Sequence, residues 1–476
     1  MNKTIPFFTT SKKTFTHSDL FTLINKHKSH YGKYGINFDY YIGKHKILNR
    51  TQKDASKPNN KVVITLPHLT TELRVGYFSG EPVTVYNEDE TYNELINEVL
   101  EYNDFQQLNS ELDRLSAIYG HACMIIYLDE DSQIRLVAED PQNCFVVYDN
   151  SLAHDEVAAI RYFEWIDDTT NEYMYDITVY EKDKISYYYG PETALRLIKT
   201  EPNYFKDIPV VEFMENKYRK GCYEDQISIV DAIELTMSNS QNEIDYFANE
   251  YLLLKNLSGT TKEDLTDMKN NRVFKVDGDG DAYFLNKNTN DAYIQNTLNR
   301  LFDNYHKCTQ TPDVTDQNFA GTASGVSLKY KLFGLEKSLS AKESLWKKSL
   351  MRALEIITNV INLKSNAVYD YKTTKLTFVR ALPTNLAESA DIVTKLSGTV
   401  SQRTLLSQLE FIENVDEEMK QIEKEKEDHQ NELDMYSDYN ALNMNPEEDI
   451  DDDSEKKYEQ DANLTVEDEI DPKEGE

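Results

Sequence analysis

The chain has 476 residues with 84 Asp and Glu against 51 Lys and Arg, so its formal net charge is −33, of which −20 falls between Glu413 and Glu476. This balance excludes a protein that grips nucleic acid through a broadly basic surface, because affinity for phosphates comes from Lys and Arg. No stretch approaches the ~20 consecutive apolar residues that span a bilayer, and the opening residues MNKTIPFFTT predict no secretory signal.

The first 120 residues predict a series of helices. Ser18 is a candidate N-cap for a first helix over 18–30, and a leading proline suits the start of a second helix over 67–80. Residues 89–118 carry two apolar stripes that are offset near Asp104. Because one straight helix would keep a single stripe, this segment predicts two helices with a break at Asp104.

From residue 121 to residue 214 the apolar period changes from helical to strand-like. Seven short segments alternate with turn-forming residues, and they predict an antiparallel meander of six or seven strands. Because helices precede and follow the strands without alternating with them, the fold class is α+β. The seven segments are HACMIIYL, QIRLVAE, CFVVYD, AAIRYFEW, YDITVYE, KISYYYG and PVVEF.

Residues 224–256 contain neither Gly nor Pro and predict one helix of 33 residues, about 50 Å long. Its middle is polar, so we expect it to pack against neighbouring helices along one face only. We call a long helix of this kind a shaft helix. Residues 271–286 then predict a hairpin with its turn at 277–281. A second helix over 290–309, apolar on one side, would return antiparallel to the first.

The remaining sequence contains a long Lys-rich helix. Beyond Met435 the chain is acidic, poor in apolar residues and predicted to be disordered. In order, the segments are a loop at 311–325, the long helix at 326–363, a strand at 375–383, helices at 387–398 and 401–412, and a charged helix at 417–433. Seven basic residues of the long helix form either an ordinary basic solvent face or a patch that faces a polyanion: Lys329, Lys331, Lys337, Lys342, Lys347, Lys348 and Arg352.

A search for catalytic motifs is negative. The sequence has no P-loop, no H-E-x-x-H and no G-x-S-x-G, and its four cysteines lie far apart without metal-ligand spacing. Asp277, Asp279 and Asp281 imitate the start of a calcium loop, but Ala282 and Asn288 stand where that loop needs Gly and Glu. The DGDGD segment therefore predicts a solvated hairpin turn, and we expect neither an enzyme nor a cofactor or metal.

Several segments resemble the portal (head-to-tail connector) proteins of tailed bacteriophages, in particular the siphophage type of Gram-positive hosts. The resemblance covers about residues 35–430, and its most specific stretch is TPDVTDQNFAGTASGVSLKYKLFGLE at 311–336. The sequence departs from the family pattern at Met214–Asn216, where relatives often have two asparagines, and at Cys222. Further matching segments are YYIGKHKILNR, GYFSGEPVTVY, DPQNCFVVYDN, IPVVEFMEN, TFVRALPTN and SQRTLLSQL.

The resemblance implies a ring of about twelve identical subunits at the unique capsid vertex, with double-stranded DNA passing through its channel during packaging and ejection. Implied partners are the terminase large subunit, then the head-completion adaptor and tail proteins, and the major capsid and scaffold proteins, with no membrane contact. The expected location is the virion, after assembly in the host cytoplasm.

The resemblance also implies an elongated subunit with a domain map. The map assigns 1–34 to an N-terminal arm, 35–223 to a wing of helices and antiparallel strands, 224–256 and 290–310 to two antiparallel stem helices, 257–289 to a clip with a hairpin, 311–326 to a channel loop, 327–385 to a long helix with a return strand to the wing, 386–433 to a helical crown and 434–476 to a disordered acidic tail.

On this map the residues expected to face the DNA channel are Gln317, Asn318, Ser324, Lys329, Lys331 and Lys337. Asp277, Asp279 and Asp281 in the clip would contact terminase or the adaptor. Two other functions stay open from sequence alone: an acidic cytosolic adaptor or chaperone, and an enzyme with an unrecognised site. A ring with a central hole would distinguish the portal from both, because each alternative predicts a monomer or dimer.

Overall fold

The computed structural model describes residues 8–12, 14–52, 54, 57–247, 251–256, 261–264, 266, 279–285, 291–313, 325–380, 391, 393–407, 409, 412, 415 and 418–426. The chain divides into two compact units, residues 1–385 and residues 386–476. The helices are α1 His17–Lys28, α2 Tyr31–Tyr41, α3 Leu66–Ser79, α4 Glu90–Tyr102, α5 Phe105–Tyr119, α6 Ile227–Phe247, α7 Asp291–Thr309, α8 Gly325–Ser365 and α9 Gln402–Leu406.

The described strands of the first unit form four sheets. They are β1 Phe8–Thr10, β2 Thr84–Tyr86, β3 His121–Leu128, β4 Ile134–Glu139, β5 Cys144–Asp149, β6 Glu156–Ile166, β7 Tyr173–Tyr180, β8 Lys184–Pro191, β9 Arg196–Pro202, β10 Val210–Met214, β11 Tyr251–Lys255, β12 Asp281–Leu285 and β13 Lys375–Thr377. The predicted α+β class is confirmed, because the strands between α5 and α6 follow one another without intervening α-helices.

The predicted single meander is wrong, because the strands divide between two larger sheets. One sheet has six strands in the order β1-β5-β6-β7-β8-β9, and the other has three in the order β10-β3-β4. Strand β3 is central in the smaller sheet and nearly continuously apolar, with Met124 in one hydrophobic cluster and its neighbour Cys123 in another. A strand covered on both faces needs partners on both edges, which explains why β10 returns to pair with it.

Helix α8 forms the centre of the main core. It packs against β10 and β3, and its Trp346 is fully buried with ring centroids 4.9 Å from Phe213 and 5.6 Å from Phe78. The Trp346 indole N–H donates to Asn109 Oδ1 at 3.0 Å, so the polar end of this large side chain is satisfied. The prediction of a long helix over 326–363 is confirmed.

Helices α1, α3, α4 and α5 agree with the sequence predictions except at one cap, whereas α2 at Tyr31–Tyr41 was not predicted. The break between α4 and α5 lies at Asp104, whose φ of 45° ends one helix before the next begins. The N-cap of α1 is Thr16 and not Ser18, because Thr16 and Asp19 form a reciprocal capping box. Ser18 then occupies the first turn of α1, where its hydroxyl is not needed as a cap.

The predicted 33-residue helix is also wrong. Helix α6 ends at Phe247, and residues 251–255 form β11, which pairs antiparallel with β12 in the register Tyr251↔Leu285. The apolar run YLLL suits a strand as well as a helix, and pairing with a segment thirty residues away decides between them. Helix α7 at 291–309 agrees with the second predicted helix.

Helices α6 and α7 pack antiparallel, as predicted for the two shafts. The first half of α6 and the second half of α7 share one hydrophobic cluster, in which Val230 and Ile233 meet Leu301 and Tyr305. The Tyr305 hydroxyl also hydrogen-bonds Thr70 of α3 at 2.8 Å. One end of the helix pair is therefore anchored in the body of the first unit.

The C-terminal predictions are covered in part. In the second unit Ser401 caps α9, as predicted, by accepting a hydrogen bond from the Thr404 backbone, but α9 ends at Leu406 and is shorter than the predicted helix over 401–412. Residues 418–426 are helical. The predicted strand at 375–383 is shorter, since β13 covers 375–377 and pairs with β2. Residues 381–390, most of the predicted turn at 277–281 and the predicted disordered tail lie outside the described residues.

Candidate channel segment and the charged network behind it

The predicted channel residues fall into two groups. Gln317, Asn318 and Ser324 lie outside the described residues, and Lys329 lies in α8 without a described side chain. Lys331 and Lys337 are exposed on the first turns of α8. The structure therefore supports two of the six as solvent-facing cations and brings both onto one helix.

The first turns of α8 expose aromatic as well as basic side chains. Tyr330 is 78% exposed and Phe333 is 63% exposed, whereas Leu332, Leu335 and Leu339 on the other face are buried. Large apolar side chains at such exposure are typical of a surface that another molecule covers. The segment next to the 311–325 loop is therefore both basic and apolar on its outer face.

The basic solvent face, one of the two alternatives for the Lys-rich helix, is wrong at Lys342, and ion pairs reduce its charge at Lys347 and Arg352. Lys342 is 2% exposed, Lys347 pairs with Glu343 at 2.7 Å, and Arg352 pairs with Asp207 at 2.6 Å. The reason is helical spacing, because Leu335, Leu339, Lys342 and Trp346 follow one another at intervals of four, three and four residues and so share the buried face. This spacing is visible in the sequence, and it indicates that Lys342 is a core residue.

Behind the exposed turns lies a buried network of two cations and two carboxylates. The Lys342 ammonium pairs with both Asp113 and Glu215. Arg74 Nη2 donates to Glu215 Oε1 at 2.8 Å and to Ser338 Oγ at 3.1 Å. The Ser79 hydroxyl donates to Asp113 at 2.8 Å. These bonds connect α3, α5, α8 and the residue that follows β10, so they set the position of the long helix against the body.

In three of the four residues of the network, the pKa is shifted in the direction that favours the charged form. Burial opposes charge on Lys342 and on Glu215, yet the opposite charges around them raise the pKa of Lys342 and lower the pKa of Glu215. The pKa of Arg74 is raised by Glu215 despite burial. Burial raises the pKa of the Asp113 carboxyl in spite of its contact with Lys342.

A groove of about 550 Å³ opens above this network. Arg74, Glu215 and Lys342 lie at its base, and segments from 215–226, 308–310 and 338–345 line its sides. Its charged lining comprises four cations and two carboxylates, namely Arg74, Lys217, Lys220, Lys342, Glu215 and Asp225. We call this the basic groove; sequence reasoning missed it because distant segments build it.

The family model for phage portal proteins of the SPP1 Gp6-like type matches residues 20–432. The chain belongs to this family. The portal protein of Bacillus phage SPP1 is 23% identical over 396 residues, which cover 78% of this chain and 77% of the relative. The portal protein of Clostridium phage phiCD119 is 23% identical over 417 residues, covering 81% and 91%.

Two solved structures are similar in part. The neck of a native gene transfer agent (GTA) particle computed with C12 symmetry aligns with a TM-score of 0.42 and 10% identity, over 72% of this chain and 89% of that chain. The virion of a native gene transfer agent particle aligns with a TM-score of 0.44 and 12% identity over the same shares.

The predicted clip residues of this portal protein are described in part. Asp277 lies outside the described residues, whereas Asp279 is exposed in a turn and Asp281 is exposed at the start of β12, opposite Lys255. No group of three His, Cys, Asp or Glu in the described part of the chain could hold a metal ion. No described helix is long and apolar enough to cross a membrane.

Proposed function

We propose that this portal protein assembles into a ring of about twelve subunits at the unique capsid vertex and that double-stranded DNA passes through the ring. The family match over residues 20–432 carries the proposal, because it spans the body, both shaft helices and α8. The ring would act as a structural conduit in the virion, assembled in the host cytoplasm, and not as an enzyme.

The antiparallel helices α6 and α7 supply the support for a ring stem. Leu235, Ile244 and Tyr246 of α6 and Tyr293 of α7 are all exposed. A two-helix pair that exposes apolar residues along its length gains stability when neighbouring pairs cover them. We therefore assign 227–247 and 291–309 to the stem, and this replaces the longer first stem helix that the sequence predicted.

We keep the remaining domain map as the sequence predicted it and add the β11–β12 ribbon to the clip. The map assigns 35–223 to the wing, 257–289 to the clip, 311–326 to the channel loop, of which 325–326 already belong to α8, and 386–433 to the crown. Asp279 and Asp281 are exposed at the ribbon, so they are available to terminase during packaging and to the head-completion adaptor afterwards. Capsid and scaffold proteins would contact the wing.

The channel mechanism that fits the charges is passive. DNA must move without sticking, and an acidic body repels phosphates while a few cations make short-lived contacts. Lys331 and Lys337 are exposed cations beside the channel loop, so we assign these contacts to them. Because few phosphates are neutralised at once, the contacts are weak and sensitive to salt.

Electron microscopy of the purified chain tests the ring. We expect rings with a central hole, together with a mass from light scattering that is many times 55.3 kDa. A uniform monomer or dimer would contradict the proposal and favour an acidic adaptor. The hole decides the outcome more firmly than the subunit count, because recombinant rings can close with a different number of subunits.

Charge reversal tests the channel contacts. Lys331→Glu combined with Lys337→Glu should leave rings intact and lower the DNA content of filled heads, measured by nuclease-protected DNA. The control pair is Lys44→Glu with Lys348→Glu, two exposed lysines outside the first turns of α8. Equal DNA content for both pairs and the unchanged protein would overturn the assignment of Lys331 and Lys337.

A further inference from the structure

Helix α4 presents a continuous acidic stripe. Its glutamates recur at intervals of four, four and three residues, so they lie on one face, and all four are exposed: Glu90, Glu94, Glu98 and Glu101. Residues 88–104 contain seven acids and neither Lys nor Arg. Like charges at this spacing destabilise a helix. Among the described residues no cation forms an ion pair with Glu94, Glu98 or Glu101, so these three carboxylates are not neutralised by ion pairs within the described part of one copy.

The rim of the basic groove is the complementary surface. Lys217, Tyr218 and Lys220 are exposed along it. Lys220 pairs at 2.6 Å with Asp225, which is itself exposed, whereas Lys217 has no ion-pair partner in the described part of the chain and lies 4.9 Å from the Tyr218 ring. The rim thus combines cations with an aromatic side chain, as protein interfaces commonly do.

The rim loop is held in one conformation before any partner binds. Asn216 Oδ1 accepts from the Tyr218 and Lys220 backbone N–H groups at 3.0 and 3.2 Å, and Asn216 Nδ2 donates to the Lys220 carbonyl at 2.7 Å. Arg219, with φ of 52°, turns inward and donates to both carboxylate oxygens of Glu212 at 2.6 and 2.7 Å. A preorganised loop loses little conformational entropy when it binds.

We infer that the α4 stripe of one copy docks on the basic groove of the next copy. The inference rests on the proposed ring and names its contact. A closed ring needs a heterologous interface, in which two different surfaces of the same chain meet. The two surfaces have opposite charge where they are exposed. The groove rim carries Lys217, which has no ion-pair partner in the described part of the chain, with Lys220 beside it, and the α4 face carries Glu94, Glu98 and Glu101. Phosphates of DNA would bind the cations of the groove rim but would give Glu94, Glu98 and Glu101 no cation to pair with.

Charge reversal on each surface tests the contact. Lys217→Glu/Lys220→Glu and, separately, Glu94→Lys/Glu98→Lys should each shift the purified chain from rings to monomers in light scattering, with an unchanged circular dichroism spectrum. The matched control, Lys44→Glu/Lys199→Glu, reverses two exposed lysines away from the groove and should form rings as the unchanged chain does. Rings from either surface variant alone, as abundant as the control's, would overturn the inference.

Mixing the two surface variants gives the decisive result. In a ring where they alternate, every acidic groove faces a basic α4 and every basic groove faces an acidic α4. An equimolar mixture should therefore form rings with an even number of subunits, although neither variant does so alone. A mixture that stays monomeric would show that the two surfaces do not meet. If the unchanged chain itself forms no ring, the proposed function fails first, so the two failures are distinguishable.

Discussion

At the scale of single residues, the buried charges fix geometry more than they add stability. Removing each ion from water costs several kcal/mol, and the mutual attraction of paired ions only offsets that cost. Lys342 balances Asp113 and Glu215 while Arg74 holds Glu215 from the other side. The balance of two positive and two negative charges is what makes the network tolerable inside the core.

Loss of one member should therefore be strongly destabilising. We expect Lys342→Met to lower the free energy of unfolding by about 3–5 kcal/mol, because it leaves an uncompensated buried carboxylate. Urea unfolding followed by tryptophan fluorescence measures it, since Trp346 lies beside Lys342. The double variant Lys342→Met/Asp113→Asn should recover most of the loss. Lys348→Met, an exposed control on the same helix, should stay within about 0.5 kcal/mol, and an equal loss in both single variants would contradict the network.

A second residue-scale prediction concerns pH. His27 is fully buried, stacked on Phe145 at 4.5 Å and bonded to the Tyr162 hydroxyl at 2.9 Å. Burial, with a smaller effect of His121 and His30, lowers the pKa of His27 from 6.5 to about 3. Because the unfolded chain takes up the proton first, the stability from neutral His27 is complete above pH 6.5 and is lost as the pH falls toward 3.

We expect the unfolding free energy to fall below pH 6.5 with a His27 contribution of at most about 1.4 kcal/mol per pH unit. His27→Gln should show a shallower fall between pH 6.5 and 4.5 in urea titrations. The raised pKa values of His45 and His121 act above this window, where their stabilisation is lost as the pH rises. The lowered pKa of Glu212 affects the unfolding free energy only below this pH window. Parallel curves for variant and unchanged protein would contradict the prediction.

At the scale of elements, local sequence patterns were sufficient to predict helices and a helix break. They were not sufficient to predict which distant segments pair as strands. The spacing of apolar residues predicted α7, α8 and the break at Asp104, because helical periodicity and a helix end depend on neighbouring residues alone. The strand at 251–255 was missed because its partner lies at 281–285. The network around Lys342 was missed for a related reason: its spacing marked it as buried, but the two carboxylates that neutralise it come from distant segments.

The junction between α5 and β3 gives an element-scale prediction. Gly120 has φ of 94°, and a Cβ there would lie 2.2 Å from the carbonyl carbon and oxygen of Arg219. We expect Gly120→Ala to cost at least about 3 kcal/mol, from the left-handed backbone and from this overlap with main-chain atoms. Thermal unfolding of the purified variant measures the loss.

Gly76→Ala is the matched control. Gly76 lies inside α3, is exposed, and its added Cβ would meet nothing within 4 Å. Alanine favours a helix over glycine by about 1 kcal/mol, so this variant should be slightly more stable than the unchanged chain. A stability loss of similar size at both glycines would show that the Gly120 effect does not come from its backbone.

At the scale of the whole molecule, the charge is divided between a mildly acidic body and a strongly acidic C-terminal segment. Residues 1–412 carry −13, and residues 413–476 carry −20. On the proposed function, a protein with this balance would handle DNA by weak contact. The exposed Lys331 and Lys337 of α8 would then act within a field that repels phosphates. Removing part of that field should therefore strengthen binding to DNA.

Truncation after residue 431 tests the effect of the acidic tail. The deletion removes 18 acids and three bases, so the net charge changes from −33 to −18. We expect rings to assemble as before and to bind double-stranded DNA more tightly at low salt, measured by fluorescence anisotropy. The difference should vanish toward 1 M salt, where the Debye length shrinks to about 3 Å. A full-length variant with the 18 acids replaced by Asn and Gln separates charge from bulk, since it should match the truncated chain. Equal DNA affinity for the truncated and unchanged rings at low salt would leave the tail without a role in repelling DNA.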